Sequence, residues 1–372
     1  MILEKDKMPK LGFGLMRLPE KDGSIDIDHV CRMVDMYMDA GLNYFDTAYV
    51  YHGGKSEVAA KEAIVKRYPR ESFMLATKLP SWELKTEADR DRILKEQLDR
   101  AGVDYFDFYL LHSIEDGSID TYNKLDCFNW AMQKKKDGVI RHFGFSFHGG
   151  PELLEQVLDD HPETEFVQIQ LNYLDWDNPI VCSGRLYEIL ESRGIPMIIM
   201  EPVKGGTLAS LPPELEAKYK AVRPDASAAS WALRYAASLP GVMTILSGMS
   251  NDSQMRDNIS TLTNFEPLSD EERNVIGEVT RAMLSKEQIG CTSCRYCCDG
   301  CPMGIQIPDV FRAVNTMTIY DEDFRPKAFY QDLIKTGSGK ASDCIECGQC
   351  EGVCPQHLPI ISLLKDAAAK LE

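Results

Sequence analysis

Positive charge is scarce in this 372-residue chain: 41 Lys and Arg stand against 58 Asp and Glu, a formal net charge of −17. Such an excess repels phosphate backbones and anionic lipid surfaces, which argues against a nucleic-acid partner and against a membrane partner. Long apolar runs are also missing. No stretch approaches the roughly 20 consecutive apolar residues of a membrane-spanning helix. The start, Met1-Ile2-Leu3-Glu4-Lys5-Asp6-Lys7, is charged and lacks the apolar centre of a secretory signal, so a cytoplasmic location is expected. A third absence concerns glycine. Gly12-Phe13-Gly14 lies in the first β-rich run, but the third glycine of a Gly-x-Gly-x-x-Gly fingerprint does not come. That weakens the case for an open, doubly wound dinucleotide-binding sheet.

Cysteine, by contrast, is plentiful, with 12 in the chain. Two runs near the end repeat one spacing: Cys291-Thr292-Ser293-Cys294-Arg295-Tyr296-Cys297-Cys298-Asp299-Gly300-Cys301-Pro302 and Cys344-Ile345-Glu346-Cys347-Gly348-Gln349-Cys350-Glu351-Gly352-Val353-Cys354-Pro355. Both read C-x2-C-x2-C-x3-C-P, the ligand run of two-cluster ferredoxins, in which the fourth cysteine of each run serves the other cluster. The spacing therefore predicts one [4Fe–4S] centre on Cys291, Cys294, Cys297 and Cys354, and a second on Cys344, Cys347, Cys350 and Cys301. Zinc sites more often use two C-x2-C pairs, and a disulfide framework suits a secreted chain. A reducing cytoplasm fits cubane clusters best. Cys298 is surplus to the pattern: it is a bystander or takes the place of Cys297. Cys31, Cys127 and Cys182 lack ligand spacing and read as small buried hydrophobes.

Before the cysteines, short β-rich runs alternate with amphipathic helical stretches. The β-rich runs are 11–16, 42–46, 73–77, 106–111, 140–145, 166–171, 196–200 and 243–247; helical patterns lie at 56–67, 87–101, 121–136, 151–160, 184–193 and 226–238. Ser56 reads as the N-cap of the first of these helices. Eight strands with crossover helices over this length match a (β/α)8 TIM barrel. The expected fold class is α/β: a barrel over residues 1–268, a linking helix over 269–290 begun by Ser269, and a small, mainly α-helical ferredoxin-like domain over 291–372. In that last domain, 308–320 and 326–335 have helical periodicity and Gly337-Ser338-Gly339 makes a turn.

Barrel chemistry sits at the carboxyl ends of strands. Asp46, Lys78 and His112 end the second, third and fourth runs, and Tyr51 follows Asp46 in the loop. Taken singly, each has an innocent role as a cap, a solvated cation or a satisfied core residue. Together they form a coherent group. A buried ammonium beside a tyrosine hydroxyl favours the phenolate. Asp46 would hold Lys78, His112 would orient a carbonyl oxygen, and Tyr51 would act as general acid.

The segment Leu42-Asn43-Tyr44-Phe45-Asp46-Thr47-Ala48-Tyr49-Val50-Tyr51-His52-Gly53-Gly54-Lys55-Ser56-Glu57 resembles the signature of the aldo/keto reductase family, as do Ala76-Thr77-Lys78, Tyr109-Leu110-Leu111-His112 and Phe143-Gly144-Phe145-Ser146. The resemblance spans about residues 8–265. With the cysteine runs, it is to the branch carrying a C-terminal ferredoxin-type domain with two [4Fe–4S] clusters. It implies a catalytic tetrad of Asp46, Tyr51, Lys78 and His112 and an extended nicotinamide cofactor, NADP or NAD, with a flavin left open. By the same resemblance, Gly14, Leu15 and Met16 meet the cofactor with Asp46 and Tyr51, Ser146 and Gln168 hold the carboxamide, and Met200, Glu201, Pro202 and Val203 form the loop after the seventh strand. Gly248, Gln254 and Asn258 fall at the adenosine end. Three departures from the family stand out. Phe147 replaces the usual Asn, Met200 replaces the stacking Tyr, and no Lys or Arg adjoins Gly248 and Gln254 in sequence, while Glu201 adds negative charge.

Three functions are compatible with these features. One is an oxidoreductase moving hydride between nicotinamide and a small carbonyl or alcohol, with the clusters carrying electrons. Another is a ferredoxin- or flavin-linked electron-transfer reductase, with a redox protein as partner. The third is a non-catalytic, redox-sensing nucleotide-binding protein. Substrate choice is expected in the loops 80–86, 113–120 and 174–182, where Trp82, Tyr173 and Trp176 either wall the site or pack.

Overall fold

A computed structural model of the chain describes residues 3, 8–178, 181–286, 288–320 and 324–372. Pro179 and Ile180, within the expected substrate loop 174–182, lie outside the described residues, as does most of the charged start. The chain divides into two compact units, Met1–Pro202 with Ala229–Leu268, and Val203–Ala228 with Ser269–Glu372.

The first unit is a closed barrel of eight strands. They are β1 Leu11–Gly14, β2 Tyr44–Asp46, β3 Met74–Pro80, β4 Phe106–Ile114, β5 Ile140–Phe147, β6 Phe166–Gln170, β7 Met197–Met200 and β8 Val242–Ser247. Neighbours pair in parallel around the ring, and β1 closes it by pairing Phe13 with Phe45 of β2 and with Ser247 of β8. All eight expected strands form. Parallel pairing buries both faces, which explains why the strands read as near-continuous apolar runs rather than alternating ones. Only glycine fits at position 144: a Cβ there would lie 2.2 Å from the Phe166 carbonyl oxygen on β6.

The helices around the barrel correct two local readings. Ser56 does not cap the helix Lys55–Ala60; Gly54, at φ +83°, occupies that place. Ser56 is buried instead, donating to the Leu15 carbonyl at 2.9 Å and meeting Thr47 Oγ1 at 2.7 Å. The pattern over 121–136 is two helices, Ile119–Lys124 and Cys127–Lys136, broken where Asp126 takes φ +48°. An unanticipated helix, Ile27–Asp39, is capped by Asp26, whose carboxylate accepts from the His29 amide at 3.0 Å.

The second unit is helical. The helix Asp270–Leu284 begins at Ser269 with a capping box: Glu272 N donates to Ser269 Oγ at 3.2 Å and Ser269 N to Glu272 Oε2 at 2.7 Å. The returning segment Pro213–Val222 packs on it, tied by Lys218 to Glu278 at 2.7 Å. Beyond come Ile307–Tyr320, Phe324–Lys335 and Ile360–Leu371, with two short helical turns at Tyr296–Asp299 and Gln349–Gly352. The expected helical ferredoxin-type arrangement is present. Ile305, Val310, Phe311, Tyr330 and Leu364 lie in its small core, and the cysteines pack against it. Among the described residues, no helix is long and apolar enough to cross a membrane.

Candidate functional site

The barrel brings the four candidate residues together. Asp46 is the last residue of β2, whereas Lys78 and His112 lie inside β3 and β4, each of which runs two residues past them. Register places them on adjoining strands, with Asp46 beside Ala76 and Lys78 beside Leu110. Tyr51 stands on a short turn after β2. All four side chains are buried.

Lys78 is the hub. Its ammonium donates to Asp46 Oδ1 at 2.6 Å, to the Thr47 carbonyl at 2.7 Å and to Tyr51 Oη at 3.3 Å. An ammonium has three donors, and each has a partner here. The edge of the His112 ring meets Tyr51, centroids 5.9 Å apart. Burial pushes the Lys78 ammonium down, against the pull of Asp46, and pushes the Asp46 carboxyl up, against the pull of Lys78. Burial also holds His112 well below the usual imidazole range, helped by the positive charge of Lys78, so the ring is neutral.

A polar layer behind Lys78 fixes its strand. Thr77 Oγ1 donates to the fully buried Glu57 at 2.7 Å; Gln97 Nε2 donates to the Lys78 carbonyl at 2.9 Å; Tyr109 Oη donates to Gln97 Oε1 at 2.7 Å. Sequence reading missed Gln97 and the Thr47 carbonyl. Gln97 had a signal: it sits four residues from Ile93 and from Ala101, a polar side chain on the buried face of its helix.

The residues expected at the cofactor line the same end of the strands. Gly14 ends β1, and Leu15 and Met16 form a single helical turn after it. Ser146 on β5 registers with Gln168 on β6. Ser146 Oγ accepts from the Ser113 amide at 2.8 Å. Gln168 Nε2 reaches Met200 Sδ at 3.5 Å, while Gln168 Oε1 is buried without a hydrogen-bond partner, as fits a side chain that completes its bonding on an amide ligand. Met200 ends β7; Glu201 and Pro202 follow, and Val203 opens the segment belonging to the second unit. Asn258 Nδ2 donates to Ser247 Oγ at 2.7 Å, and Gln254 Oε1 accepts from the Ser250 amide at 2.7 Å.

One inference about charge is corrected. A basic residue does lie against Gly248, supplied from the far end of the sequence: a Cβ on Gly248 would sit 3.1 Å from Arg17 Cδ. Arg17 Nη2 also comes within 3.5 Å of Glu201 Oε1, so the negative charge of Glu201 is partly offset. The three aromatic residues separate. Trp82 is 50% exposed and its ring is 5.2 Å from that of His112, whereas Tyr173 and Trp176 pack against Tyr235.

In the second unit, two small cavities are each lined by four cysteines. The first has Cys291, Cys294, Cys297 and Cys354; the second has Cys301, Cys344, Cys347 and Cys350. Each cavity gathers the four cysteines that the spacing grouped together, with Cys354 and Cys301 each lying with the other run. Among the described residues, no three His, Cys, Asp or Glu side chains gather as ligands of a single metal ion. Four thiols spread around a cavity suit a cubane instead, where each sulfur binds its own iron. Cys297, not Cys298, lines the first cavity. Cys127 is buried as expected, but Cys31 and Cys182 are partly exposed.

The chain thus combines an eight-stranded parallel barrel with a unit holding two cavities of four cysteines each. Residues 10–281 match the aldo/keto reductase family, and residues 290–358 match the 4Fe-4S dicluster domain. The chain belongs to the aldo/keto reductase family. It is similar to an L-galactose dehydrogenase of Arabidopsis thaliana, 28% identical over 70% of this chain and 86% of that one. An uncharacterised oxidoreductase of Bacillus subtilis is 27% identical over 74% of this chain and 94% of its own length. Among solved structures, the holo form of an aldo-keto reductase from Bacillus halodurans aligns with a TM-score of 0.58 at 26% identity, over 73% of this chain and 91% of that one. A Klebsiella pneumoniae aldo-keto reductase in complex with NADPH aligns with a TM-score of 0.59 at 21% identity over 73% of this chain and 91% of that one, a likeness of fold alone.

Proposed function

We propose that the barrel interconverts a small carbonyl compound and its alcohol, with Tyr51 giving or taking the proton at the substrate oxygen. The observation that carries this reading is the single ammonium of Lys78 spanning the Asp46 carboxylate and the Tyr51 hydroxyl, at 2.6 and 3.3 Å. A nicotinamide cofactor, NADP or NAD, supplies or accepts the hydride when bound. Gly14, Leu15, Met16, Ser146, Gln168, Met200 to Val203, Gly248, Gln254 and Asn258 are the residues that would hold it. The unpartnered Gln168 Oε1 supports that assignment.

As the substrate oxygen gains charge, the Tyr51 hydroxyl transfers its proton there. The neighbouring ammonium stabilises the phenolate left behind, and Asp46 keeps that ammonium charged and in place. His112, being neutral, orients the carbonyl by a hydrogen bond without competing as an acid. In the alcohol direction the same groups work in reverse. Eight cysteines hold two cubanes, which when bound carry single electrons to or from a redox partner. The proposed organisation is a catalytic barrel over 1–268, a linking helix over 269–290 and a cluster domain over 291–372.

Tyr51→Phe tests the assignment. It should lower kcat by about 10²- to 10⁴-fold for every carbonyl substrate, the usual worth of a positioned acid. Nucleotide binding, followed by quenching of protein fluorescence, should be retained. Undiminished turnover in that variant would end the proposal.

A further inference from the structure

The two cubane cavities differ in how they meet solvent. Each is backed by buried side chains, Ile307, Phe311, Leu358 and Ile360 at the first and Ile305, Ile307 and Leu364 at the second, and each has one buried cysteine, Cys297 and Cys350. The second has a ligand at the surface: Cys347 is exposed. Two residues lining that cavity, Ile345 and Met303, are 59% and 38% exposed, and Val353, between Cys350 and Cys354, is 49% exposed. Ile345 has the greatest exposure of any large apolar side chain among the described residues. An apolar patch held in water marks an interaction surface more often than a packing accident. Ile345 and Met303 line the same cavity as Cys347, whose thiolate would be bonded to iron.

We propose that the Ile345–Cys347 face is the docking surface for a one-electron carrier protein with a basic contact face, and that electrons cross there into or out of the second cubane. Electron tunnelling falls steeply with distance, so the exposed ligand offers the short path, and the apolar patch excludes water from the contact. The sign of the partner follows from the rim. Asp343 and Glu346 are exposed beside the patch, a cubane with four thiolates is itself negative, and the chain carries a net charge of −17. Lys365 tempers the rim, pairing with Glu346 at 2.9 Å. Opposite charge on the carrier steers encounter, and the apolar patch then holds it. Ile307 lines both cavities, which gives a direct path inward from the second cubane to the first. When the carrier donates, one electron leaves its haem or flavin, which is oxidised, and the cubane on Cys301, Cys344, Cys347 and Cys350 is reduced by one; no bond breaks. The proposal rests on the cluster ligation and is independent of the role of Tyr51.

The test uses anaerobically purified holoprotein and oxidised cytochrome c, a basic haem protein, as the probe. Binding is measured by NMR line broadening of the haem methyl signals. Electron transfer from the dithionite-reduced, desalted holoprotein is followed by stopped flow as the haem is reduced and the clusters are oxidised. Both binding and rate should weaken by about tenfold between low and physiological ionic strength, as for steered association. Glu346→Lys and Ile345→Ser should each weaken both, Lys365→Glu should strengthen both, and Leu284→Ser, at an exposed position that lines neither cavity, should change neither. Iron content and the cluster absorbance show whether each variant kept its clusters; if Glu346→Lys and Ile345→Ser lose theirs, the Lys365→Glu response decides. Tyr51→Phe holoprotein should behave as wild type, so a failure here is distinct from a failure of the barrel chemistry. Salt-independent transfer, no response to Lys365→Glu, or faster exchange with an acidic flavodoxin would overturn the proposal.

Discussion

The barrel and the cluster domain solve the same problem, holding reactive groups in place, by opposite means. In the barrel, backbone pairing sets the site. Asp46, Lys78 and His112 ride on adjoining strands whose register fixes them, and a buried polar layer through Glu57, Thr77 and Gln97 backs them. In the second unit, the thiols come from loops and single helical turns around a small core. A core of that size gains little from apolar burial alone, so metal ligation must supply much of its stability. The barrel site is therefore built before any ligand arrives, whereas the cluster site is completed by its ligand.

Iron removal exposes that contrast most sharply. Chelation with loss of both cubanes should abolish cooperative unfolding of the cysteine-bearing helices while leaving the barrel largely folded, because ligation free energy is folding free energy in such modules. Far-UV circular dichroism with limited proteolysis should show digestion concentrated after residue 290. An apo protein resistant throughout would mean the two regions are less different than argued.

A matched pair of glycines comes next. A Cβ on Gly144 would lie 2.2 Å from the Phe166 carbonyl oxygen in the barrel, and one on Gly339 would lie 2.2 Å from the Met303 carbonyl oxygen beside the second cubane cavity. Neither backbone can yield cheaply. Gly144→Ala should cost about 3 kcal/mol or more, the upper range of overpacking, and lower the barrel's denaturation midpoint. Gly339→Ala should leave that midpoint alone and reduce iron retained per chain. Equal effects of both variants on both readouts would erase the distinction.

The smallest expected effect is a pH dependence. Burial keeps His112 neutral in the folded state, with its pKa below the ordinary 6.5. Below that pH the unfolded chain binds a proton that the folded chain refuses, so stability falls as pH falls. The contribution is complete above about pH 6.5 and decreases by at most about 1.4 kcal/mol per pH unit below it. Urea midpoints at pH 7.5 and 5.5 should drop on acidification, and the drop should shrink in His112→Gln. A variant with an unchanged slope would assign the pH dependence to other groups.

Local patterns revealed much of this molecule. Eight apolar runs became the eight strands because a parallel barrel buries both faces of each. The cysteine spacing grouped the thiols that share each cavity, because C-x2-C-x2-C-x3-C-P is the ligand run of two-cluster ferredoxins. The strand ends pointed to Asp46, Lys78 and His112. What stayed hidden came from parts of the chain distant in sequence. Arg17 lies against Gly248 only because the barrel closes β1 onto β8. Ser56 has the chemistry of a cap, but Leu15 and Thr47 offered its hydroxyl better partners. For Trp82 the sequence left walling the site and packing both open, and only the fold brings its ring to 5.2 Å from that of His112. The grouping of Val203–Ala228 with the last hundred residues had no compositional mark at all.

That grouping has a consequence for synthesis. The stretch leaving the seventh strand, Val203–Ala228, groups with sequence that the ribosome makes later. Domains that fold as contiguous blocks can finish one after another as they emerge. Here the peptide between the seventh and eighth strands must wait until the C-terminal helices are complete, so a message cut short after residue 268 would deliver a barrel with one connection left unanchored.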